Sequence, residues 1–229
     1  YNLTHSAYLA IGDISANTFT SVFQEEKADI EAWFLAVEPS IDFDWIRVRA
    51  QGLYASGDKD PFDDKAQGFD AIFENPQFAG ADTSYWIRQP VPLIGGGGVV
   101  LSGRNGILNS LRSSKEQGQS NFLNPGTVLY GAGVDIDVLP ELRLFANLNH
   151  IGFAKKPIIE VARNQPLRSK SIGWDASLSL LYRPTFIQNI VLRASGAVLF
   201  GGGAYDELFA TQRPGDKFYS VLFNLILSY

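Results

Sequence analysis

The chain has neither cysteine nor methionine in 229 residues. Without a thiol there can be no disulfide framework, no thiolate metal site and no cysteine nucleophile, an absence that suits an exported protein. No charged-then-apolar leader opens the sequence, so the expectation is a mature or truncated chain in which Tyr1 is not a translation start. Also missing is any run approaching the ~18 to 20 consecutive apolar residues of a membrane helix, which excludes a helical membrane protein. Basic clusters are absent and the net charge is -5, which argues against a nucleic-acid surface. The glycine runs at 95–98 and 201–203 lack the Gly-Lys-Ser/Thr ending and the following helical pattern of a phosphate cradle, so they are expected to be loop glycines.

What is present is alternation. The last twelve residues, FYSVLFNLILSY, place Tyr219, Val221, Phe223, Leu225, Leu227 and Tyr229 on one face at period two, apolar throughout and bounded by tyrosines. A band about ten residues long with aromatic ends is what a lipid-facing barrel strand requires. A closing strand that ends in an aromatic residue also resembles the C-terminal signal of bacterial outer-membrane barrels. A mean hydropathy of -0.02 agrees with a wall in which only alternate residues meet lipid.

The same pattern recurs upstream. Ile46, Val48, Ala50 and Tyr54 alternate with Arg47, Arg49 and Gln51, and Val128 to Val138 alternate with Gly131, Gly133, Asp135 and Asp137. Leu142, Leu144, Ala146 and Leu148 oppose Arg143, Asn147 and Asn149; Ile172, Trp174, Ala176, Leu178, Leu180 and Tyr182 oppose Asp175, Ser177 and Ser179. Ile190, Leu192, Ala194, Val198 and Phe200 oppose Arg193 and Ser195. Three earlier segments, 5–11, 14–24 and 30–37, are expected to be strands, and the faces of the third are too evenly apolar to orient it. Residues 56–124 form an irregular stretch, expected to be a loop that lies outside the cell or folds into a lumen; 155–168 and 201–215 are shorter loops. Long and short connections alternate as in barrels with short periplasmic turns. These features predict an all-β, antiparallel transmembrane β-barrel of the bacterial outer membrane, a single domain over 1–229. Nine strands are counted, an odd number for a single-chain barrel, so the chain is expected to be the C-terminal portion of a larger one.

The strand-to-loop junction ASGDKDPFDDKAQGFDAIF, residues 55–73, carries Ser56, Gly57, Asp58, Asp60, Pro61, Asp64, Phe69, Asp70 and Phe73. It resembles the SGD...DP...D...FD..F pattern of the alginate-export-like family of outer-membrane porins. The resemblance implies a passive conduit for an anionic solute or acidic polysaccharide, lined by arginines and narrowed by inserted loops. Outer-membrane lipid, the solute and other outer-membrane or periplasmic components are the expected partners, with no cofactor and no nucleic acid.

On the residues themselves, Arg47, Arg49, Arg143 and Arg193 fall on the expected lumen face, where permanently charged guanidinium forks offer successive weak sites to carboxylates. Asp135, Asp137 and Asp175 share that face, and a wall braced by Arg–Asp pairs is the alternative. Asp58, Asp60, Asp63 and Asp64 are a cation-binding candidate for a flexible loop, set against a solvated acidic loop. No catalytic residue is expected. A lipid hydrolase would need a serine beside a histidine, but His150 lies on the apolar face opposite to Ser177 and Ser179, which makes it an interfacial residue. A structural barrel, serving as sleeve or partner for another component, is the third reading.

Overall fold

A computed structural model describes residues 1–15, 27–70, 78–80, 83–85, 122–187, 189–209 and 217–227. Eight long strands make up one antiparallel meander: β1 (Asn2–Ser15), β2 (Lys27–Phe43), β3 (Ile46–Ala55), β5 (Thr127–Leu139), β6 (Leu142–Phe153), β7 (Ser171–Tyr182), β8 (Ile190–Gly201) and β9 (Lys217–Leu227). The two-residue β4 (Lys65–Ala66) adds a short parallel pairing to β2. The chain is all-β apart from two seven-residue helices, α1 (Pro157–Arg163) and α2 (Gly203–Phe209). No described helix is long and apolar enough to cross a membrane.

The strands are long because their residues alternate without interruption and pair over almost their whole length. β1 matches β2 through fourteen consecutive Cα partners, and β3 matches β5 through ten. Ten to seventeen residues per strand is about two to three times the usual ~5 to 6 of globular sheets. Tight turns at Asp44–Trp45 and Pro140–Glu141 join strands at one end, and 183–189 does so for β7 and β8. The β1–β2, β3–β5, β6–β7 and β8–β9 connections all leave from the other end. The first two expected segments, 5–11 and 14–24, are not separate strands as far as they are described: β1 runs on to Ser15, and the rest of the second lies outside the described residues. Among the described residues the long strands therefore number eight.

Register assigns every strand two faces. Trp33, Leu35 and Val37 of β2 share a face with Leu9, Ala7 and His5 of β1 and with Tyr54 of β3. Ala32, Phe34 and Ala36 lie on the other face and are buried. From β2 to β8 that second face is largely covered, whereas on the edge strands Tyr8 of β1 and Ile226 of β9 are exposed on it. Its upper half, toward the long connections, is a closed apolar core of Phe34, Leu53, Leu129, Ile151, Phe153 and Leu199 packed against Phe69, Leu123, Ile158, Ile159, Tyr205 and Leu208 from the connections. The expected polar loop at 155–168 and the expected loop at 201–215 thus contain α1 and α2, which seal this core. Proline starts α1, where its missing N–H costs nothing, and Ile158 and Ile159 are its buried side.

A bulge lies where β6 meets β7. Ile151 pairs with Gly173 and Gly152 with Ser171, which leaves Ile172 as the extra residue. Ile172 consequently turns into the core and is completely buried, whereas unbroken alternation would have placed it beside Trp174 on the bare face.

The bare face is apolar across all eight strands. Leu9, Trp33, Val48, Tyr130, Leu148, Leu178, Leu192 and Phe223 lie exposed on it, one from each strand in turn. Soluble monomers rarely expose a contiguous apolar patch beyond a few hundred Å². An aromatic row crosses it at the long-connection end: Tyr130, His150, Trp174 and Phe200 are successive cross-strand partners. Tyr130 stacks on His150 at 4.8 Å and Trp174 meets His150 edge-on at 5.0 Å, while Trp33 stacks on Tyr54 at 4.5 Å further along the sheet. At the opposite end Phe43, Trp45, Tyr182 and Phe186 are exposed. From Trp174 to Tyr182 is about 26 Å of strand at ~3.3 Å per residue.

Candidate functional site: the charged half of the covered face

Below the apolar core, the covered face becomes polar. Arg47, Arg49, Arg143 and Arg193 all project from it, as their alternation with apolar neighbours predicts. Three of them are ion-paired with described residues of the wall. Arg47 bonds Asp42, and the Nε of Arg143 lies 2.8 Å from the carboxylate of Asp137. Arg49 is the most enclosed, with an Nη2 that donates to Asp135 Oδ1 at 2.7 Å and to Asn147 Oδ1 at 3.0 Å and an Nη1 at 3.7 Å from Glu38. Arg193 donates from Nε to Ser179 Oγ at 2.9 Å, and Arg193 and Arg143 both lie over the Phe145 ring, at 5.6 and 5.5 Å.

Two glycines make the Arg49 contacts possible. Gly131 and Gly133 lie on β5, between β3 and β6, and leave a groove across that strand. A Cβ on Gly133 would sit 2.8 Å from Arg49 Nη2 and 2.5 Å from Asn147 Oδ1, and one on Gly131 would sit even closer to Asn149 Oδ1. Through that groove the Gln51 amide donates to Asn149 and the Arg49 guanidinium reaches Asn147, each spanning a whole strand. On the described part of this face, four arginines oppose five carboxylates: Glu38, Asp42, Asp135, Asp137 and Asp175. The Arg–Asp pairing weighed as the alternative is the arrangement found at Arg49 and Arg143.

The β3–β5 connection inserts into this face. Ala79, fully buried, donates its N–H to Glu38 Oε2 at 3.3 Å and accepts at its carbonyl from Asn149 Nδ2 at 3.1 Å. Thr83 Oγ1 donates to Ser177 Oγ at 3.3 Å. Gly80 has φ +75°, and a Cβ there would lie 2.5 Å from Asn147 Nδ2. A cavity of about 160 Å³ remains between this anchor and the wall, lined by Glu38, Arg49, Asp135, Asn147, Arg193 and Gly80 among others.

Because that cavity takes residues from β2 and from β8, the sheet must curl. Five strand steps at ~4.8 Å would separate those strands by about 24 Å in a flat sheet. The connection also touches both ends of the strand order, through Phe69 against Tyr8 at 6.3 Å and Tyr85 against Phe218 at 6.0 Å.

No protein-family model and no curated protein matches the chain. Its chemistry must therefore be taken from its own residues.

The junction motif forms a neck that ties the two ends of the connection together. Ser56 Oγ accepts from the Trp33 N–H at 2.9 Å and donates to Gln67 O at 2.7 Å; Asp58 N donates to Asn124 O at 2.8 Å, and Phe69 N to Ser56 O at 2.8 Å. The buried Asp58 carboxylate accepts from the backbone N–H groups of Asp60 and Gln67. Burial pushes its carboxyl up to about 7, against the downward pull of those two bonds. Asp60 and Asp63 cap local turns in the same way, onto Phe62 and Lys65. The cation-binding candidate is thus not assembled: Asp58, Asp60, Asp63 and Asp64 do not converge, and among the described residues no three acidic or histidine side chains are placed to hold a metal. Turn chemistry uses these carboxylates one at a time. Residues 71–77, including Phe73, and the glycine run at 95–98 lie outside the described residues, as does Tyr229.

His150 does meet a serine, though neither Ser177 nor Ser179. The bulge brings Ser171 onto the bare face, with its Oγ 2.8 Å from His150 Nε2. A nucleophile–base pair also needs a group to orient the imidazole, but His150 Nδ1 is buried with no hydrogen-bond partner among the described residues. The stacked position of His150 between Tyr130 and Trp174 suits an interfacial residue.

Proposed function

We propose that the sheet is the wall of a bacterial outer-membrane β-barrel, the C-terminal portion of a larger one, and that the protein is a passive channel for anionic solutes. The observation that carries this reading is the bare face: apolar on all eight strands and crossed by Tyr130, His150, Trp174 and Phe200 in register. Aromatic girdles of this kind sit at headgroup level on both sides of an apolar band of about 25 Å. Lipid covers that face; water and solute take the other.

The anionic preference rests on the resemblance of the 55–73 junction and on Arg47, Arg143 and Arg193 at the polar half of the covered face. Their pairing with Asp42 and Asp137 makes the preference modest, because a permeating ion feels each guanidinium together with its carboxylate. A weak ladder of this kind suits passive conduction, in which sites must release what they bind. The test is the reversal potential of single channels in a planar bilayer under a salt gradient. Anion selectivity that falls in an Arg47→Ala, Arg143→Ala variant, with block of the current by added polyuronate, is the expected result. Cation selectivity, or bilayer insertion without conductance, would overturn it.

A structural sleeve for another outer-membrane component is the second reading, favoured by one observation: the upper half of the covered face is a sealed apolar core through which no solute could pass. Insertion without conductance is the outcome that selects it.

A further inference from the structure

We infer that the long-connection end of β6 to β9 is a docking surface for a phosphorylated glycolipid of the lipid A type, whose phosphates rest on Arg168, Lys170 and Lys217 and whose acyl chains lie on the bare face beneath them. This names a partner for that face and rests on the reading of it as lipid-facing.

The cations gather in one place although the chain as a whole is acidic. Residues 155–170, between β6 and β7, carry five cationic residues and one carboxylate, Glu160, in a protein of net charge -5. Glu160 is already engaged: it lies 3.8 Å from Lys156 Nζ and accepts from the Leu167 N–H at 2.9 Å. Glu207, on α2, accepts from the backbone N–H groups of Arg168 and Ser169 at 2.6 and 3.1 Å. Arg168, Lys170 and Lys217 are exposed. Among the described residues no carboxylate lies within ion-pair distance of these three side chains, in contrast to Arg47, Arg49 and Arg143 on the covered face.

Register puts the charges at the rim of the aromatic row. Tyr130, His150, Trp174, Phe200 and Lys217 are successive cross-strand partners, so Lys217 ends the row on β9. Its Nζ lies 6.0 Å from the centroid of the Phe200 ring, which holds the ammonium over the row. On the other side of Trp174, Lys170 directly precedes Ser171, the residue that the bulge brings beside His150. Lys170 Nζ donates to Ala154 O at 3.0 Å, which leaves two of its three N–H groups for a ligand. Strands β7 and β9 are two spacings apart, ~10 Å, so Lys170 with Arg168 on one side and Lys217 on the other are two separate cationic points above an aromatic floor.

That layout selects the occupant. Directly below the charges the face is apolar, with Val198 and Tyr219 paired under Phe200 and Lys217. A soluble anion would meet the cations and leave Trp174, Phe200 and Tyr219 uncovered, whereas a single-phosphate lipid would reach one cationic point only. A disaccharide head with a phosphate at each end and several acyl chains meets both points and the apolar floor together. In the barrel reading the long connections lie outside the cell, which puts this end of the wall in the leaflet that holds such a lipid.

Competition for Trp174 tests the surface. Trp33→Phe, Trp45→Phe and Trp86→Phe leave Trp174 as the only tryptophan. The full polypeptide is reconstituted in vesicles of brominated phosphatidylcholine, which quenches a lipid-facing indole, and either lipid A or fully dephosphorylated lipid A is mixed in. Each Lys or Arg beside an anionic headgroup strengthens association by about fivefold before screening, so lipid A should relieve the quenching at a mole fraction at least about tenfold lower than the dephosphorylated lipid. Arg168→Gln, Lys170→Gln and Lys217→Gln together should bring the two lipids to within about twofold of each other, while quenching by brominated lipid alone stays as it was. Equal relief by both lipids with the three cations intact would overturn the inference, and so would a preference that survives their replacement. If brominated lipid does not quench Trp174 at all, the lipid-facing reading itself fails, and the inference with it.

Discussion

At the scale of single residues, the covered face depends on places where a side chain is missing. Gly131 and Gly133 were visible in the sequence only as small residues on the polar side of β5; their role in letting Gln51 and Arg49 span a strand required coordinates. Gly80 is the clearest case, because it combines a positive φ with a near-contact to Asn147. Gly80→Ala should lower stability by roughly 2 to 4 kcal/mol, the sum of a left-handed non-glycine residue and local overpacking, measured by denaturant unfolding in vesicles. An unchanged midpoint would mean that the connection is not seated on the wall. Asp58 gives a pH signature. Its folded pKa of about 7 lies above the unfolded value of 3.8, so the folded state holds a proton that the unfolded state has released between those values. Stability should therefore fall as pH rises from about 4 to about 7 and level off above, by at most about 4 kcal/mol at ~1.36 per pKa unit. Asp58→Asn should flatten that slope, although the amide can accept only one of the two N–H bonds without rearrangement. An identical slope in the variant would assign the pH dependence elsewhere.

At the scale of elements, period-two alternation located β3, β5, β6, β7, β8 and β9 within a residue or two and oriented their faces, because one face of each is wholly apolar. It failed on β2, where Ala32, Phe34 and Ala36 look as apolar as Trp33 and Leu35. The reason is physical: the inner face of β2 packs against Phe69 and the core, not against water, so both of its faces select apolar residues. The same core hid α1 and α2 inside segments that read as loops, since a seven-residue helix is too short to show a helical period. Alternation also misplaced Ile172, because a bulge adds one residue and reverses every face beyond it. The connection from β3 to β5 supports an element-level prediction. Releasing its anchor with Glu38→Ala and Asn149→Ala, which removes both hydrogen bonds from the strands to the Ala79 backbone, should raise the variance of single-channel current and the susceptibility of the connection to protease. Currents and cleavage identical to the unmodified protein would show that the anchor does not hold the connection in place.

At the scale of the whole molecule, charge and hydropathy separate by face. The net charge of -5 belongs mostly to connections and turns, and the covered face holds four arginines against five carboxylates. Releasing Arg47 and Arg143 by Asp42→Asn with Asp137→Asn should therefore shift the reversal potential toward anions, opposite in sign to their removal. No shift would place the conduction path away from these pairs. The four arginines were legible as a set from alternation alone, while their ion pairs were not, because Arg49 and Asp135 are 86 residues apart and meet only through register. The central claim is that the bare face meets lipid. Spin labels placed one at a time along β9, at Tyr219, Ser220, Val221, Leu222 and Phe223, in vesicles test it most directly. Oxygen accessibility should peak at 219, 221 and 223 and drop at 220 and 222, with period two. Labels at 219, 221 and 223 that are instead open to a water-soluble relaxation agent would contradict it.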